Sequence, residues 1–121
     1  MVGNHLPKRM IQRQEKRAHP RLKLRVPLEL HVEGSATPIR GATTDLGLGG
    51  CYIETIFPLP VNVGLEVVLQ IGSTVIAVGK VVTCDPNVGN GIKFTRLLPE
   101  DREALRSYLE AATVTSDGIG E

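Results

Sequence analysis

Aromatic side chains are scarce in this sequence. The chain of 121 residues has no tryptophan and only four other aromatic residues, Tyr52, Phe57, Phe94 and Tyr108. Proteins that bind single-stranded nucleic acid without sequence preference stack successive bases on aromatic side chains. Four aromatic residues spread over the whole chain do not supply such a platform, so the sequence argues against this class of function.

Long apolar segments are also missing. No apolar run approaches the roughly 20 residues of a membrane-spanning helix, and the first residues lack the apolar core of a secretory signal peptide. The two cysteines, Cys51 and Cys84, have no CxxC spacing and lie in apolar, strand-like contexts. They are typical of buried free thiols in a reducing compartment. We therefore expect a cytoplasmic protein without a membrane span.

Signatures of catalysis and of metal binding are absent from the sequence. His5, His19 and His31 are not spaced from acids or cysteines as in metal or catalytic sites. The pair Gly79-Lys80 lacks the first glycine and the hydroxyl residue of a phosphate-binding loop. No GxSxG or GxGxxG pattern occurs either. We expect no enzymatic activity, no cofactor and no metal.

Positive charge is concentrated at one end of the chain. Residues 1–25 contain eight basic side chains and one acidic one, a net charge of +7. The remaining residues contain six basic and twelve acidic side chains, a net charge of −6. Residues 1–15 have no regular apolar pattern, which predicts a flexible basic arm. A basic arm on a mildly acidic body indicates an anionic partner, and a merely solvated arm is the simpler alternative.

Short segments of alternating hydrophobicity dominate the rest of the chain. They predict six β-strands, over residues 22–32, 39–45, 50–55, 65–71, 74–84 and 91–96. Apolar residues with helical spacing predict one helix over 99–112, and the small residues at 113–121 predict a disordered tail. We therefore predict a mainly β fold, a six-stranded antiparallel barrel with a C-terminal helix.

The predicted fifth strand is apolar on both faces. Val75 and Ala77 alternate with Ile76 and Val78, and successive side chains of a strand point to opposite sides. One side fits the barrel interior. The other side must then be covered by the helix or by a second chain, so a homodimer is possible.

A glycine-rich turn follows the second predicted strand. In the segment Asp45-Leu46-Gly47-Leu48-Gly49-Gly50, three glycines lie within four residues, shortly after an acid. Glycine accepts positive φ and lets a ligand or another backbone come close. A carboxylate accepts hydrogen bonds from N–H groups. We interpret this turn as the centre of a ligand site.

Two motifs give the sequence a family resemblance. Arg17-Ala18-His19-Pro20-Arg21 is an RxxxR directly before the first predicted strand, and the segment 45–50 is close to (D/N)xSxxG. Weaker matches are Asn90-Gly91-Ile92-Lys93-Phe94 and Leu98-Pro99-Glu100-Asp101-Arg102. Over residues 16–112 the chain resembles the PilZ domain, the bacterial receptor module for cyclic di-GMP. The arm at 1–15 and the tail at 113–121 then lie outside the domain.

The resemblance implies a site for cyclic di-GMP. In the family, the arginines grip phosphates and guanine edges, the acid and the serine hydrogen-bond the guanine, and the glycine lets the turn approach the ligand. The matching positions here are Arg17, Arg21, Asp45 and Gly50, and Gly47 stands at the position of the serine. The implied function is a receptor or adaptor that orders its arginine arm on the nucleotide and signals to an unknown protein effector.

Gly47 is the position at which the sequence departs from the motif. Loss of one neutral hydrogen bond costs about 0.5–1.5 kcal/mol, so we expect a weakened site that Gly47→Ser would strengthen. The alternative is a degenerate PilZ module that binds a protein partner and no nucleotide. A nucleic-acid-binding barrel is a further alternative, which the acidic body and the scarce aromatics disfavour.

Overall fold

The computed structural model describes the backbone of residues 20–120 and the side chains of residues 20–113. The predicted arm, residues 1–15, lies outside this range. Within the range the chain forms seven strands and one helix. The strands are β1 (Arg21–Leu22), β2 (Pro27–Val32), β3 (Ile39–Gly47), β4 (Gly50–Glu54), β5 (Gly64–Gln70), β6 (Thr74–Asp85) and β7 (Gly89–Leu97), and the helix is α1 (Pro99–Gly120).

Six of the strands close into an antiparallel barrel. Their order is β3, β2, β5, β6, β7 and β4, and β4 pairs back with β3. Strands β1 and β2 pair with the same edge of β3: β2 pairs with residues 39–42 and β1 with residues 46–47. Closure gives both edges of each barrel strand a partner. The predicted fold, a six-stranded antiparallel barrel with one C-terminal helix, is confirmed.

The barrel interior takes alternate residues from its strands, as a side-chain period of two requires. Leu30, Leu69, Val81 and Ile92, from four different strands, are completely buried. Leu105 of α1 is also completely buried and belongs to the same apolar cluster. Each such side chain contributes about 1.5–3 kcal/mol by leaving water, so the helix shares one core with the barrel.

The first predicted strand is two strands, β1 and β2. Between them the hydroxyl of the buried Thr43 donates to the carbonyl oxygen of Leu24 at 2.5 Å and accepts from the N–H of Val26 at 2.9 Å. Pro27 then starts β2 without an N–H group. A side chain of β3 therefore replaces the regular ladder at this point, which the hydrophobic alternation does not reveal.

The helix is longer than predicted. Helix α1 continues to Gly120 instead of ending at residue 112, so residues 113–120 are helical and do not form the predicted disordered tail. No proline or glycine interrupts the sequence after Pro99 until Gly118. The hydroxyl of Thr113 donates to the carbonyl oxygen of Leu109 at 2.9 Å, which is a local contact within the helix.

The outer face of β6 stays partly exposed. Ile76, Val78 and Val82 are 44%, 41% and 40% exposed. Helix α1 contacts β6 as expected, but it leaves these side chains open to solvent within the described part of the chain. The expectation that the helix covers this face is wrong, and the homodimer stays a prediction.

The side chain of Asn90 links the loop after β4 to the barrel by hydrogen bonds. This side chain is completely buried. The amide nitrogen donates to the carbonyl oxygens of Leu59 and Thr83, at 2.9 and 3.1 Å. The amide oxygen accepts from the N–H of Leu59 at 2.8 Å. One side chain thus satisfies three backbone groups and fixes the path of the loop.

We predict that Asn90→Leu lowers the free energy of unfolding by about 2–4 kcal/mol, because it leaves three backbone groups without partners. Thr95→Ser, at an exposed position of the same strand, keeps the hydroxyl that donates to the carbonyl oxygen of Val78. It is the control and should change stability by at most about 0.5 kcal/mol. Urea unfolding followed by circular dichroism measures both variants. Equal stability of the two variants would contradict this role of Asn90.

Candidate functional site

A two-residue turn joins β3 and β4. Gly47 and Gly50 lie opposite each other at its base, and Leu48 and Gly49 form the connection. None of these glycines has a positive φ; among the described glycines, positive φ is confined to two other turns. A left-handed backbone conformation therefore does not explain this glycine cluster. The glycines at 47 and 50 are explained by neighbouring atoms that leave no room for a Cβ atom.

The glycines at the base of the turn make room for Arg21. A Cβ atom on Gly50 would lie 2.3 Å from the carbonyl oxygen of Ile92 and 2.8 Å from Nη2 of Arg21. A Cβ atom on Gly47 would lie 2.5 Å from the carbonyl oxygen of Pro20 and 3.0 Å from Cγ of Arg21. The side chain of Arg21 therefore lies across both glycines, where any larger residue would meet it.

Asp45 lies beside Arg21 because of a bulge in β3. The register with β4 shifts between Thr43 and Asp45, which adds Thr44 to one side of the ladder. Thr43 and Leu46 are both completely buried, and the bulge turns Asp45 outward between them. Oδ1 of Asp45 is 3.4 Å from Nη1 of Arg21, and their side chains are 23% and 14% exposed.

The ion pair involves only one nitrogen of the Arg21 guanidinium and one oxygen of the Asp45 carboxylate. Among the described residues, Nη1 of Arg21 and Oδ1 of Asp45 are the only side-chain atoms of the two that make a hydrogen bond. A guanidinium has five N–H donors and a carboxylate has two acceptor oxygens. The remaining donors and Oδ2 can therefore bind a ligand from the outer face.

Cross-strand register extends the site over five strands. Arg21 is opposite Gly47, Gly47 is opposite Gly50, Gly50 is opposite Lys93, and Lys93 is opposite Lys80. Residues directly opposite each other share a face of the sheet. This line of five residues, the glycine row, has cationic side chains at both ends and two buried glycines between them.

A second line of residues runs beside the glycine row. Asp45 is opposite Tyr52, and Tyr52 is opposite Gly91. The phenol of Tyr52 donates to Oδ2 of Asp85 at 2.6 Å, and this hydrogen bond raises the pKa of Tyr52 to about 12. The phenol therefore stays protonated near neutral pH, and its ring extends over Gly89, on the side of Tyr52 that faces away from the glycine row.

Sequence reasoning did not place Tyr52 or Lys93 in the site. Their membership depends on the register between β4 and β7, which a single sequence does not give. The available signal was the alternation in β7, where Lys93 is exposed between the buried Ile92 and Phe94. That alternation identifies an outward lysine but not its neighbour across the strand.

The described cysteines are free, and neither lies in the outer face of the site. Cys51 is completely buried, and burial raises its pKa to about 12. Such a thiol does not ionise near neutral pH, so it is a core residue and not a nucleophile. Cys84 is only partly buried, which corrects the expectation of two buried thiols.

Residues 20–120 contain no candidate metal site and no candidate membrane span. The described residues contain no group of three or more histidine, cysteine, aspartate and glutamate side chains that could hold a metal ion. Among the described helical residues, no helix has the length and hydrophobicity to cross a membrane.

Four of the five predicted site residues are brought together by the fold. Arg21, Asp45, Gly47 and Gly50 surround the base of the turn between β3 and β4. The fifth, Arg17, lies outside the described residues, so its part in the site stays a prediction.

A sequence model of the PilZ domain matches residues 15–111. The chain belongs to the PilZ domain family. The resemblance seen over residues 16–112 is thereby confirmed. No curated protein matches this PilZ domain by sequence.

Solved structures share the fold of this PilZ domain at low sequence identity. The inhibitor of motility MotI/DgrA of Bacillus subtilis has a TM-score of 0.70 at 14% identity, over 82% of this chain and 52% of its own. The PilZ domain of Escherichia coli YcgR, solved with c-di-GMP, has a TM-score of 0.65 at 15% identity, over 84% of this chain and 98% of its own. Borreliella burgdorferi PlzA, solved with c-di-GMP, has a TM-score of 0.58 at 18% identity, over 88% of this chain and 46% of its own. This chain therefore spans about half the length of MotI/DgrA and of PlzA.

We predict that Gly47→Ala and Gly47→Ser both displace β1, because a Cβ atom at this position does not fit against the carbonyl oxygen of Pro20. Overpacking of this kind costs about 1–3 kcal/mol, and a strand of two residues is the element that yields most easily. Amide hydrogen exchange in β1 should become about tenfold faster, while exchange in β6 should not change. On this geometry we predict that a serine at 47 displaces β1, whereas the motif alone predicts a stronger site.

Gly41→Ala is the matched control for this experiment. Gly41 lies in the same strand, and a Cβ atom there meets no atom within 4 Å. Its exchange pattern should equal that of the wild type. Slow exchange in β1 of a folded Gly47→Ala variant, as slow as in the wild type, would contradict the steric role of Gly47.

Proposed function

We propose that this PilZ domain binds cyclic di-GMP and acts as a receptor or adaptor that passes the signal to a protein partner. The observation that carries this proposal is the position of Arg21, whose guanidinium lies across Gly50 and beside Asp45. A guanidinium presents its donors as a planar fork, which fits phosphate oxygens or the O6 and N7 atoms of guanine. Cyclic di-GMP offers both kinds of acceptor.

Asp45 complements the arginine, because its carboxylate accepts hydrogen bonds from the N–H groups of a guanine edge. Gly47 and Gly50 let Arg21 lie close to β3 and β4, so that its guanidinium is held beside Asp45. Guanine bases stack on guanidinium planes, so a site of this kind needs few aromatic side chains.

The basic arm supplies the second arginine in this proposal. Arg17 precedes Arg21 by four residues, so a ligand bound at Arg21 is within reach of it. Ordering the arm costs about 1–2 kcal/mol per residue, and several charged contacts must offset this cost. The ordered arm then changes the surface that a partner meets.

Two of the structural relatives support the choice of ligand. The YcgR domain and PlzA were solved with c-di-GMP, and both share this fold. A receptor for such a messenger acts in the cytoplasm, and free cysteines suit that compartment. Its role is recognition, without a catalytic residue.

A protein-binding role without nucleotide is the second candidate. Ile56, Phe57 and Val88 are 63%, 82% and 54% exposed. They lie close together because the N–H of Thr55 donates to the carbonyl oxygen of Val88 at 2.9 Å. Exposed apolar clusters mark contact sites for proteins. This apolar cluster favours a protein partner whether or not the nucleotide binds.

Isothermal titration of cyclic di-GMP into the wild type, Arg21→Ala and Asp45→Asn tests the proposal. We expect micromolar or tighter binding by the wild type and a loss of at least about tenfold in each variant, since a hydrogen bond to a charged group contributes about 1.5–3 kcal/mol. Arg40→Ala is the control. It removes an exposed arginine that pairs with Glu29, away from the glycine row.

Two outcomes would contradict the proposal in different ways. Equal affinity of wild type and Arg21→Ala would show that the ligand does not use this site. No heat from the wild type up to high micromolar nucleotide would reject nucleotide binding. In that case the protein-binding role predicts a partner interaction that Phe57→Ser weakens and Arg21→Ala does not.

A further inference from the structure

Lys93 and Lys80 are neighbours of like charge at one end of the glycine row. They are register partners in β7 and β6, and both are exposed. Like charges directly opposite each other destabilise a sheet. Within the described residues, none of the ion pairs involves either lysine. This arrangement costs stability and gains no ion pair in return.

Two acidic side chains are placed by the register on the side of Lys80 that faces away from Lys93. Gly64 is opposite Lys80, and the carboxylate of Glu33 accepts from the N–H of Gly64 at 3.0 Å. Glu66 is diagonal to Lys80 on the same strand as Gly64. These carboxylates offset part of the charge of Lys80. Lys93 has no such neighbour, because its other register partner is a glycine.

That partner, Gly50, lies between two cationic side chains. On one side Nη2 of Arg21 is 2.8 Å from the position of a Cβ atom on Gly50. On the other side is Lys93, whose Cα atom is about 4.5–5.5 Å away, as for directly opposed residues of antiparallel strands. Gly50 itself is buried, and the carbonyl oxygen of Ile92 lies 2.3 Å from the same Cβ position. An anion on the outer surface above Gly50 can therefore contact the guanidinium on one side and the ammonium on the other.

We propose that Lys93, supported by Lys80, is a phosphate-binding residue on the side of Gly50 that faces away from Arg21. An ammonium is a compact charge with three donors on a flexible stem, which suits a phosphate oxygen. Lys80 raises the positive potential at this position and draws the phosphate toward Lys93. The phosphate class of ligand follows from these charges, and its assignment to cyclic di-GMP rests on the proposed function.

Inorganic pyrophosphate tests the phosphate site without the nucleotide. In a titration of isotope-labelled wild type followed by NMR, we expect saturable shifts of the amide signals of Gly50 and Lys93. Lys93→Gln should lose most of the response. Arg102→Gln, which removes the same charge from an exposed position on α1, should keep it. Absent shifts in the wild type, or an undiminished response in Lys93→Gln, would overturn the inference.

Cyclic di-GMP tests whether the nucleotide uses this residue. We expect Lys93→Gln to weaken binding about tenfold at low ionic strength and less at high salt, with Arg102→Gln unchanged. If the wild type binds the nucleotide and Lys93→Gln binds it equally well, the inference is wrong and the proposed function stands. If the wild type responds at Lys93 to pyrophosphate and does not bind the nucleotide, the proposed function is wrong and the phosphate site stands.

Thermal unfolding without ligand separates binding from a structural role. Lys93→Gln removes one of two like charges, so its Tm should be equal to or higher than that of the wild type. A clearly lower Tm would show that the lysine serves the fold, against the proposal.

Discussion

The close approach of β1 to two glycines is the interaction on which the site depends. The carbonyl oxygen of Pro20 lies 2.5 Å from the position of a Cβ atom on residue 47, and Nη2 of Arg21 lies 2.8 Å from that of a Cβ atom on residue 50. Without this approach, Arg21 would not rest against Asp45. Gly47 thus lets the arginine lie against the barrel surface.

The barrel supplies the rigidity that this arrangement needs. The bulge in β3 keeps Thr43 and Leu46 in the core while Asp45 faces outward. The hydroxyl of Thr43 also holds the segment between β1 and β2 through Leu24 and Val26. Groups that are held in place before binding lose less entropy when the ligand arrives. Strand β3 therefore carries Asp45 and, through Thr43, also holds the segment that follows β1.

The sequence predicts the barrel and most of the candidate site, because both depend on local patterns. Alternating hydrophobicity marks the strands, and motif order marks Arg21, Asp45 and Gly50. The reason for Gly47 could not be predicted, because it depends on the pairing of Arg21 with a residue 26 positions later. Lys93 was missed for the same physical reason, since its neighbour Gly50 is set by the register between β4 and β7.

In this proposal Arg21, lying over Gly47 and Gly50, anchors the phosphate ligand. The decisive measurement is a crystal structure of the protein with cyclic di-GMP. We expect a ligand on the outer face of β3 and β4, with the guanidinium of Arg21 on its phosphate or guanine acceptors and Asp45 on a guanine edge. A ligand bound elsewhere, or an Arg21 that stays on Asp45 without touching the ligand, would contradict it.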